Sequence, residues 1–329
     1  MTVPPPRPVV AVVGPTASGK SDLAVDLALA LAGEVVNTDA MQLYRGMDVG
    51  TAKLPPAQRR GVPHHLLDVL DVTQEASVAA YQRDAGAVVD RLLAAGVTPV
   101  LAGGSGLYVR AALDVLDIPP TDPVVRARWE ERLAAEGAPA LHAVLAARDP
   151  VAAQRILPTN GRRVVRALEV VELTGRPFSA TMPREEYVRP AVQVGLTVPR
   201  DALDARIALR VDLMWRDGLV EETERLVGQG LREGRTAPRA LGYAQVLDLL
   251  AGRCTDDEAR AETVRATRRF ARRQESWFRR DPRIVWLPHD APDLLDRALA
   301  VVRAGAAAAP AGPTPQPAAD PSDPGRPTP

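Results

Sequence analysis

Residues 9–21 read VVAVVGPTASGKS. Val9, Val10, Val12 and Val13 around Ala11 make a β-branched run without a polar interruption, the pattern of a strand buried on both faces. Gly14-Pro15 ends it. From Gly14 to Ser21 the chain matches G-x-x-x-x-G-K-[ST]. Glycines in that arrangement let backbone N–H groups curl round an anion, and the N-terminus of the next helix adds its dipole. Lys20 is placed to reach an outer phosphate and Ser21 to ligate Mg²⁺. Residues 20–32 (KSDLAVDLALALA) have helical periodicity and stop at Gly33. A strand before and a helix after are the context the loop requires. A di- or triphosphate is therefore expected at Gly14, Thr16, Ala17, Ser18, Gly19, Lys20 and Ser21.

Further along, Glu34 to Thr38 reads as a second strand with Asp39 at its end. Tyr81 to Ala95 is helical, Val97 to Ala102 is a third strand broken by Gly103-Gly104, and a helix opens near Leu107. This alternation predicts a parallel sheet with ligands beyond the C-terminal strand ends, where Gly14, Asp39 and Gly103 all fall. From Ile118 the pattern changes to helices rich in Ala, Arg and Glu, over 122–148, 151–156 and 162–173, with no strand between them. Residues 192–198 alternate as a strand, and Asp201 is the expected cap of a long helix. Helices are expected over 201–216, 219–230, 239–251 and 256–280, a strand over 283–287 and a helix over 291–304. The expected fold is α/β: a P-loop parallel-sheet core with helices on both faces and an inserted all-helical subdomain. The expected division is 1–117 for the first part of the core, 118–187 for the helical insertion and 188–304 for core completion with a basic helix. Residues 305–329, rich in Pro and Ala, read as a disordered tail.

Composition narrows the class. Of 329 residues, 46 % are hydrophobic and 25 % charged, with 41 basic residues against 41 acidic ones, which excludes a collagen, a coiled-coil rod or a wholly disordered chain. No apolar run reaches the roughly 18 residues of a membrane span. Met1 to Pro8 lacks the pattern of a secretory signal. Cys254 is the single cysteine, so an intrachain disulfide and a Cys-pair zinc site are excluded. The cytoplasm is the expected compartment. Only two of the basic residues are lysines, Lys20 and Lys53, the bias of a GC-rich coding sequence. The neutral total hides local polarity: eight arginines fall between Glu262 and Arg283, and Arg155, Arg162, Arg163 and Arg166 cluster elsewhere. Such patches suit a polyanionic partner.

A nucleotide-hydrolysing enzyme adds an acid at the end of a second apolar strand to hold Mg²⁺. Here the strand ending at Ala102 runs into Gly103-Gly104-Ser105-Gly106 instead. The available strand-end acid is Asp39, placed to take a proton from a nucleophile attacking a phosphate-bearing substrate.

Seven stretches taken together resemble the tRNA dimethylallyltransferases, also called tRNA isopentenyltransferases. They are GPTASGKS (14–21), NTDAMQLYRGMDVGTAK (37–53), VPHHLLDVLD (62–71), GGSGLY (103–108), NGRRVVRALEV (160–170), RALGY (239–243) and TRRFARRQESWFRRD (267–281). The phosphate loop is shared with many NTPases; DxxQxYRGMDxGTAK is far more specific. Three positions depart from the family's usual residue: Ala40 for Ser, Ser105 for Thr and Arg272 for Lys.

The resemblance implies transfer of a dimethylallyl group from dimethylallyl diphosphate to the exocyclic amine of the adenosine 3′-adjacent to the anticodon, with Mg²⁺ as cofactor and diphosphate released. It implies Asp39, Lys20 and Ser105 as catalytic residues. It further implies tRNA contacts from Asp39, Ala40, Met41, Gln42, Ser105, Arg126, Arg162, Arg163, Arg166, Arg239, Arg269 and Arg273. The target base must leave the anticodon-loop stack to meet Asp39. The expected partners are the tRNA anticodon stem-loop and dimethylallyl diphosphate, with no membrane, and the expected state is a monomer. Two enzymatic alternatives share the loop: a P-loop small-molecule kinase, and an isopentenyltransferase acting on free adenine nucleotide. Gly242-Tyr243 is open between a turn beside the site and an RNA contact. His64-His65 reads as a loop pair bonded to backbone.

Overall fold

The computed structural model describes residues 7–181 and 185–308. β1 (Val9–Val13) leads into α1 (Lys20–Ala30), followed by β2 (Gly33–Asn37), β3 (His64–His65), α2 (Val78–Ala94), β4 (Thr98–Ala102) and α3 (Gly106–Leu113). Four helices come next: α4 (Pro123–Glu136), α5 (Ala138–Arg148), α6 (Pro150–Arg155) and α7 (Gly161–Thr174). The chain continues through β5 (Ala191–Thr197), α8 (Arg200–Arg216), α9 (Leu219–Val227), α10 (Tyr243–Leu250), α11 (Asp256–Phe278), β6 (Ile284–Pro288) and α12 (Leu294–Ala308). The strands form one sheet in the order β3-β2-β4-β1-β5-β6, with parallel pairing between each pair of neighbours.

The sheet is buried because both of its faces are apolar. Side chains alternate across a strand, so Val9, Ala11 and Val13 face one layer, where Tyr81, Ala85 and Val89 of α2 and Val109 of α3 pack. Val10 and Val12 face the other, against Leu23 and Leu27 of α1 and Ala298 and Val302 of α12. The fold is therefore α/β with helices on both faces, as the sequence predicts.

Of the three further apolar clusters, two are large. Trp129, Leu141, Leu145, Val164 and Leu168 form a core within α4–α7. Tyr44, Met47, Trp215, Leu219, Leu226 and Tyr243 form the other. The chain leaves for α4 and returns from α7 through a short ribbon. Asp114 bridges Tyr187 there, Val115 N–H donates to Glu186 and Val188 N–H donates to Leu113. Asp114, almost fully buried, clamps the ribbon through paired hydrogen bonds from Arg283 at 2.7 and 3.0 Å.

Several boundaries differ from expectation for local reasons. Gly137, at φ 82°, divides the helix expected over 122–148, and Asp122 caps the first half by accepting from Val124 and Val125 N–H. Asp201 is not a cap: α8 starts one residue earlier, with Pro199 at the cap position and Asp201 in the first turn. His64-His65 is an edge strand rather than a loop, too short to show a period. His64 Nδ1 does bond the Val62 carbonyl, whereas His65 Nε2 pairs with Glu34 at 2.5 Å. The start of the expected tail, residues 305–308, continues α12; residues 309–329 lie outside the described ones. Among the described residues no helix is long and apolar enough to cross a membrane.

Candidate active site

The loop after β1 turns back at Gly19, whose φ of 94° and ψ of 12° lie in the left-handed region that a side chain disfavours. This turn sets Lys20 as the first residue of α1. Its ammonium is buried and donates to the Pro15 carbonyl at 2.6 Å. Burial and the nearby charge of Arg210 lower its pKa to about 7, against the pull of Asp39. A buried ammonium of this kind suits an anion as its counter-charge. Ser18 Oγ is buried beside it without a hydrogen-bond partner.

Two side chains from the C-terminal half brace this loop. Arg206 Nε donates to the Ala17 carbonyl at 2.7 Å. Gln274 of α11 accepts from Thr16 N–H at 2.8 Å and donates to the Gly104 carbonyl at 2.9 Å. One buried amide thus ties the phosphate loop to the GGSG turn after β4.

Asp39 follows β2. Asn37 fixes its backbone, accepting from Asp39 N–H at 2.8 Å and donating to the Asp39 and Leu66 carbonyls at 2.9 Å each. Asn37 is held in turn by Tyr81, whose hydroxyl donates to its carbonyl at 2.7 Å. Burial pushes the Asp39 carboxyl above the usual carboxylate range; the N–H groups of Met41 and Gln42 and the charge of Lys20 oppose this without cancelling it. A raised carboxylate is the better proton acceptor near neutrality.

These groups meet in a recess of about 90 Å³ bordered by Lys20, Ser21, Asp39, Gln42, His64 and Gln274. The recess opens, across Thr16, Asp39, Thr51, Ala52, Arg210 and Phe270, into a cavity of about 1350 Å³. Ala40, Met41 and Ser105 line the near side of that cavity, with Arg239 and Arg273; Arg126, Arg162, Arg163 and Arg166 line the side formed by α4 and α7. Ser105 sits at the cap position of α3 with its hydroxyl unused in capping.

Two of these arginines are gathered by a buried carboxylate. Glu169, fully buried, accepts from Arg126 at 2.8 Å, Arg166 at 2.9 Å and the Asp122 N–H at 3.0 Å. Burial alone would raise its pKa, but the two guanidiniums hold it below the usual range.

The structure does not bring every expected residue together. Gly14, Ala17, Ser18 and Gly19 shape the loop without bordering either space. Arg269 lies outside the lining and pairs with Glu262 at 2.7 Å. Of the aromatic residues of α11, Phe278 is core, Phe270 borders the cavity and Trp277 is exposed. Sequence reading missed Arg210 and Gln274. Each carried a signal: Arg210 lies three residues after buried Ile207, and Gln274 lies on the buried stripe of α11 that includes Ala271 and Phe278.

The oxygen donors present suit Mg²⁺, which keeps several waters and takes one or two protein oxygens beside substrate phosphates. Ser21 and Asp39 border the recess and are of that kind. Among the described residues no group of three or more His, Cys, Asp or Glu side chains could hold a metal alone.

Residues 42–281 match the family model described as IPP transferase. The chain is 68 % identical over 299 residues to the tRNA dimethylallyltransferase of Thermobifida fusca (strain YX), covering 89 % of this chain and 94 % of that one. It is 66 % identical over 305 residues to the enzyme of the same name from Kineococcus radiotolerans, covering 91 % and 96 %. The crystal structure of the tRNA isopentenylpyrophosphate transferase from Bacillus halodurans superposes with a TM-score of 0.68 at 38 % identity, covering 92 % of this chain and 97 % of that one. With the motif, the recess and these likenesses in agreement, the chain belongs to the IPP transferase family.

Proposed function

We propose that the protein transfers a dimethylallyl group from dimethylallyl diphosphate to the exocyclic amine of the adenosine 3′-adjacent to the anticodon of tRNA. One observation carries the choice of acceptor: the phosphate recess opens into an arginine-lined cavity of about 1350 Å³. Pockets for small ligands run to about 300–1,000 Å³. A free adenine nucleotide needs neither that volume nor eight arginines along its walls, counting Arg126, Arg162, Arg163, Arg166, Arg210, Arg235, Arg239 and Arg273. A kinase reading is not favoured, since the strand before Gly103 ends without an acid.

In this reading the loop from Thr16 to Ser21 holds the diphosphate, which is the leaving group. Lys20 and the loop N–H groups stabilise the negative charge that grows as the allylic C–O bond breaks. Mg²⁺, held by Ser21 and the diphosphate oxygens, would supply further neutralising charge. Asp39 accepts a hydrogen bond from the adenine amine and takes its proton as the C–N bond forms. Adenine's amine is a poor nucleophile, so its placement against Asp39 and Ser105 supplies much of the rate. The arginines of α4 and α7, within the insertion we assign to residues 118–187, hold tRNA phosphates beside Arg239 and Arg273. Ala40 leaves the family's usual serine contact unmade. The enzyme acts as a monomer in the cytoplasm.

The test is direct. The protein is incubated with Mg²⁺, labelled dimethylallyl diphosphate and an unmodified tRNA carrying three consecutive adenosines at the anticodon edge. Parallel reactions hold AMP as acceptor, or ATP in place of the donor. Label in tRNA alone is expected; label in AMP, or ATP turnover, overturns the reading.

A further inference from the structure

The RALGY stretch ends in Tyr243, which is fully buried and does not itself line the cavity. Its hydroxyl donates to Glu222 Oε1 at 2.5 Å. Glu222, on α9, is also buried, with its carboxylate against the loop that follows Gly46. Oε2 accepts from Asp48 N–H at 3.1 Å and Val49 N–H at 2.9 Å, and Oε1 accepts from Gly50 N–H at 3.2 Å. Successive backbone N–H groups pointing one way make an anion-binding concavity. Here the chain fills that concavity with its own carboxylate. The Tyr243 ring closes the arrangement: a Cβ on Gly50 would lie 2.4 Å from ring Cε2, so only glycine fits.

The far side of the same loop is held by a cation. Lys53 is buried, donates to the Tyr44 carbonyl at 3.0 Å and pairs with Asp48 and Asp68 at 2.6 Å each. What this fixation presents outward is the cavity wall: Gly50, Thr51 and Ala52. The Thr51 carbonyl accepts from Gln42 Nε2 at 3.1 Å, so the loop also sets the side chain three residues beyond Asp39.

We infer that Glu222 is a positioning residue for the RNA side of the reaction, acting through the N–H groups of residues 48–50 on Thr51 and Gln42; this rests on the functional reading above. A carboxylate is required at that position. Its two oxygens accept four hydrogen bonds, whereas a glutamine has one acceptor oxygen and turns an NH₂ toward N–H donors. Tyr243 contributes one of the four and is the smaller partner.

Two variants and two readouts test this. Glu222→Gln is expected to raise KM for tRNA about 10- to 100-fold while leaving KM for dimethylallyl diphosphate within about twofold. Tyr243→Phe is expected to show the same split at about two- to fivefold, and it keeps the test alive should Glu222→Gln fold poorly. Amide exchange is read alongside, with residues 48–52 expected to lose protection in each variant and residues 14–21 to keep it. Equal changes in both KM values, or unchanged exchange at 48–52, would overturn the inference. A wild-type enzyme that labels no tRNA breaks the functional reading instead, and the exchange result then decides whether Glu222 fixes the loop.

Discussion

The recess around Lys20 and the arginine wall across the cavity are built on opposite plans. The recess is assembled from segments far apart in sequence, and amide side chains lock them: Asn37 fixes Asp39, and Gln274 joins Thr16 to Gly104. The wall of α4 and α7 belongs to helices with their own apolar core, and its arginines project from that core. In the function we propose, the difference follows from what each side would handle. Bond making tolerates little misplacement, which suits a recess locked by hydrogen bonds. Binding to phosphates needs charge within reach of long side chains, which suits a wall that carries arginines.

The sharpest way to break this division is Asp39→Ala. It is expected to lower turnover by about 10²- to 10⁴-fold, the usual contribution of a positioned base. Inorganic diphosphate binding should stay within about threefold, since removing a negative charge beside Lys20 does not weaken the hold on an anion. Single-turnover transfer and calorimetric diphosphate titration check the two halves. Near-normal turnover would remove Asp39 as the base.

Next in size is Gln274→Leu, which leaves the Thr16 N–H and the Gly104 carbonyl without their partner. Turnover is expected to fall about 10- to 100-fold, with KM for tRNA changed less than KM for the donor. A loss confined to tRNA affinity would mean that α11 serves the wall rather than the recess.

The contrast also sorts what could be read in the sequence. The phosphate loop, Asp39 and the parallel sheet were legible because each is a local pattern: a motif between one strand and one helix, and strands apolar on both faces. Glu222 was not, because its loop partners lie up to 174 positions away, at Asp48; for Gln274 only its place on the buried stripe of α11 was legible, not its partner Thr16, 258 positions away. The edge strand His64–His65 escaped because two residues show no period. The arginines of α11 were legible as a cluster, but a cluster in sequence gives no direction, and Glu262 decides where Arg269 points.

The pH dependence of anion binding tests the recess by itself. In the empty site Lys20 has its pKa lowered to about 7, mainly by burial, from the ordinary 10.5. A bound diphosphate favours the charged form, so the complex holds the proton to higher pH. Binding therefore takes up a proton above about pH 7, and affinity falls by up to about tenfold per unit there, while this group adds no slope below it. The unfolded chain also keeps that proton, so Lys20 makes the empty protein more stable as pH rises between about 7 and 10.5. Diphosphate titrations in buffers of different ionisation enthalpy, at about pH 6, 7.5 and 9, read the uptake. No proton uptake would mean that Lys20 is already charged in the empty recess.

The smallest expected effect divides two arginines one helical turn apart. Arg273 borders the cavity and lies over the Phe270 ring, its guanidinium carbon 5.7 Å from the centroid. Arg269 reaches back to Glu262 instead, at 2.7 Å. Each tRNA phosphate that the protein ceases to neutralise lowers the slope of log affinity against log salt by about one. Arg273→Ala should therefore flatten the salt dependence of tRNA binding by about one, and Arg269→Ala by about zero. Exposed ion pairs such as Arg269–Glu262 are worth at most about 1 kcal/mol, so a polyanion competes well for the same guanidinium. Equal flattening by both variants would thus show that tRNA draws Arg269 away from Glu262. The wall would then extend along the outer stripe of α11, and the boundary between the locked side and the charged side would lie within that one helix.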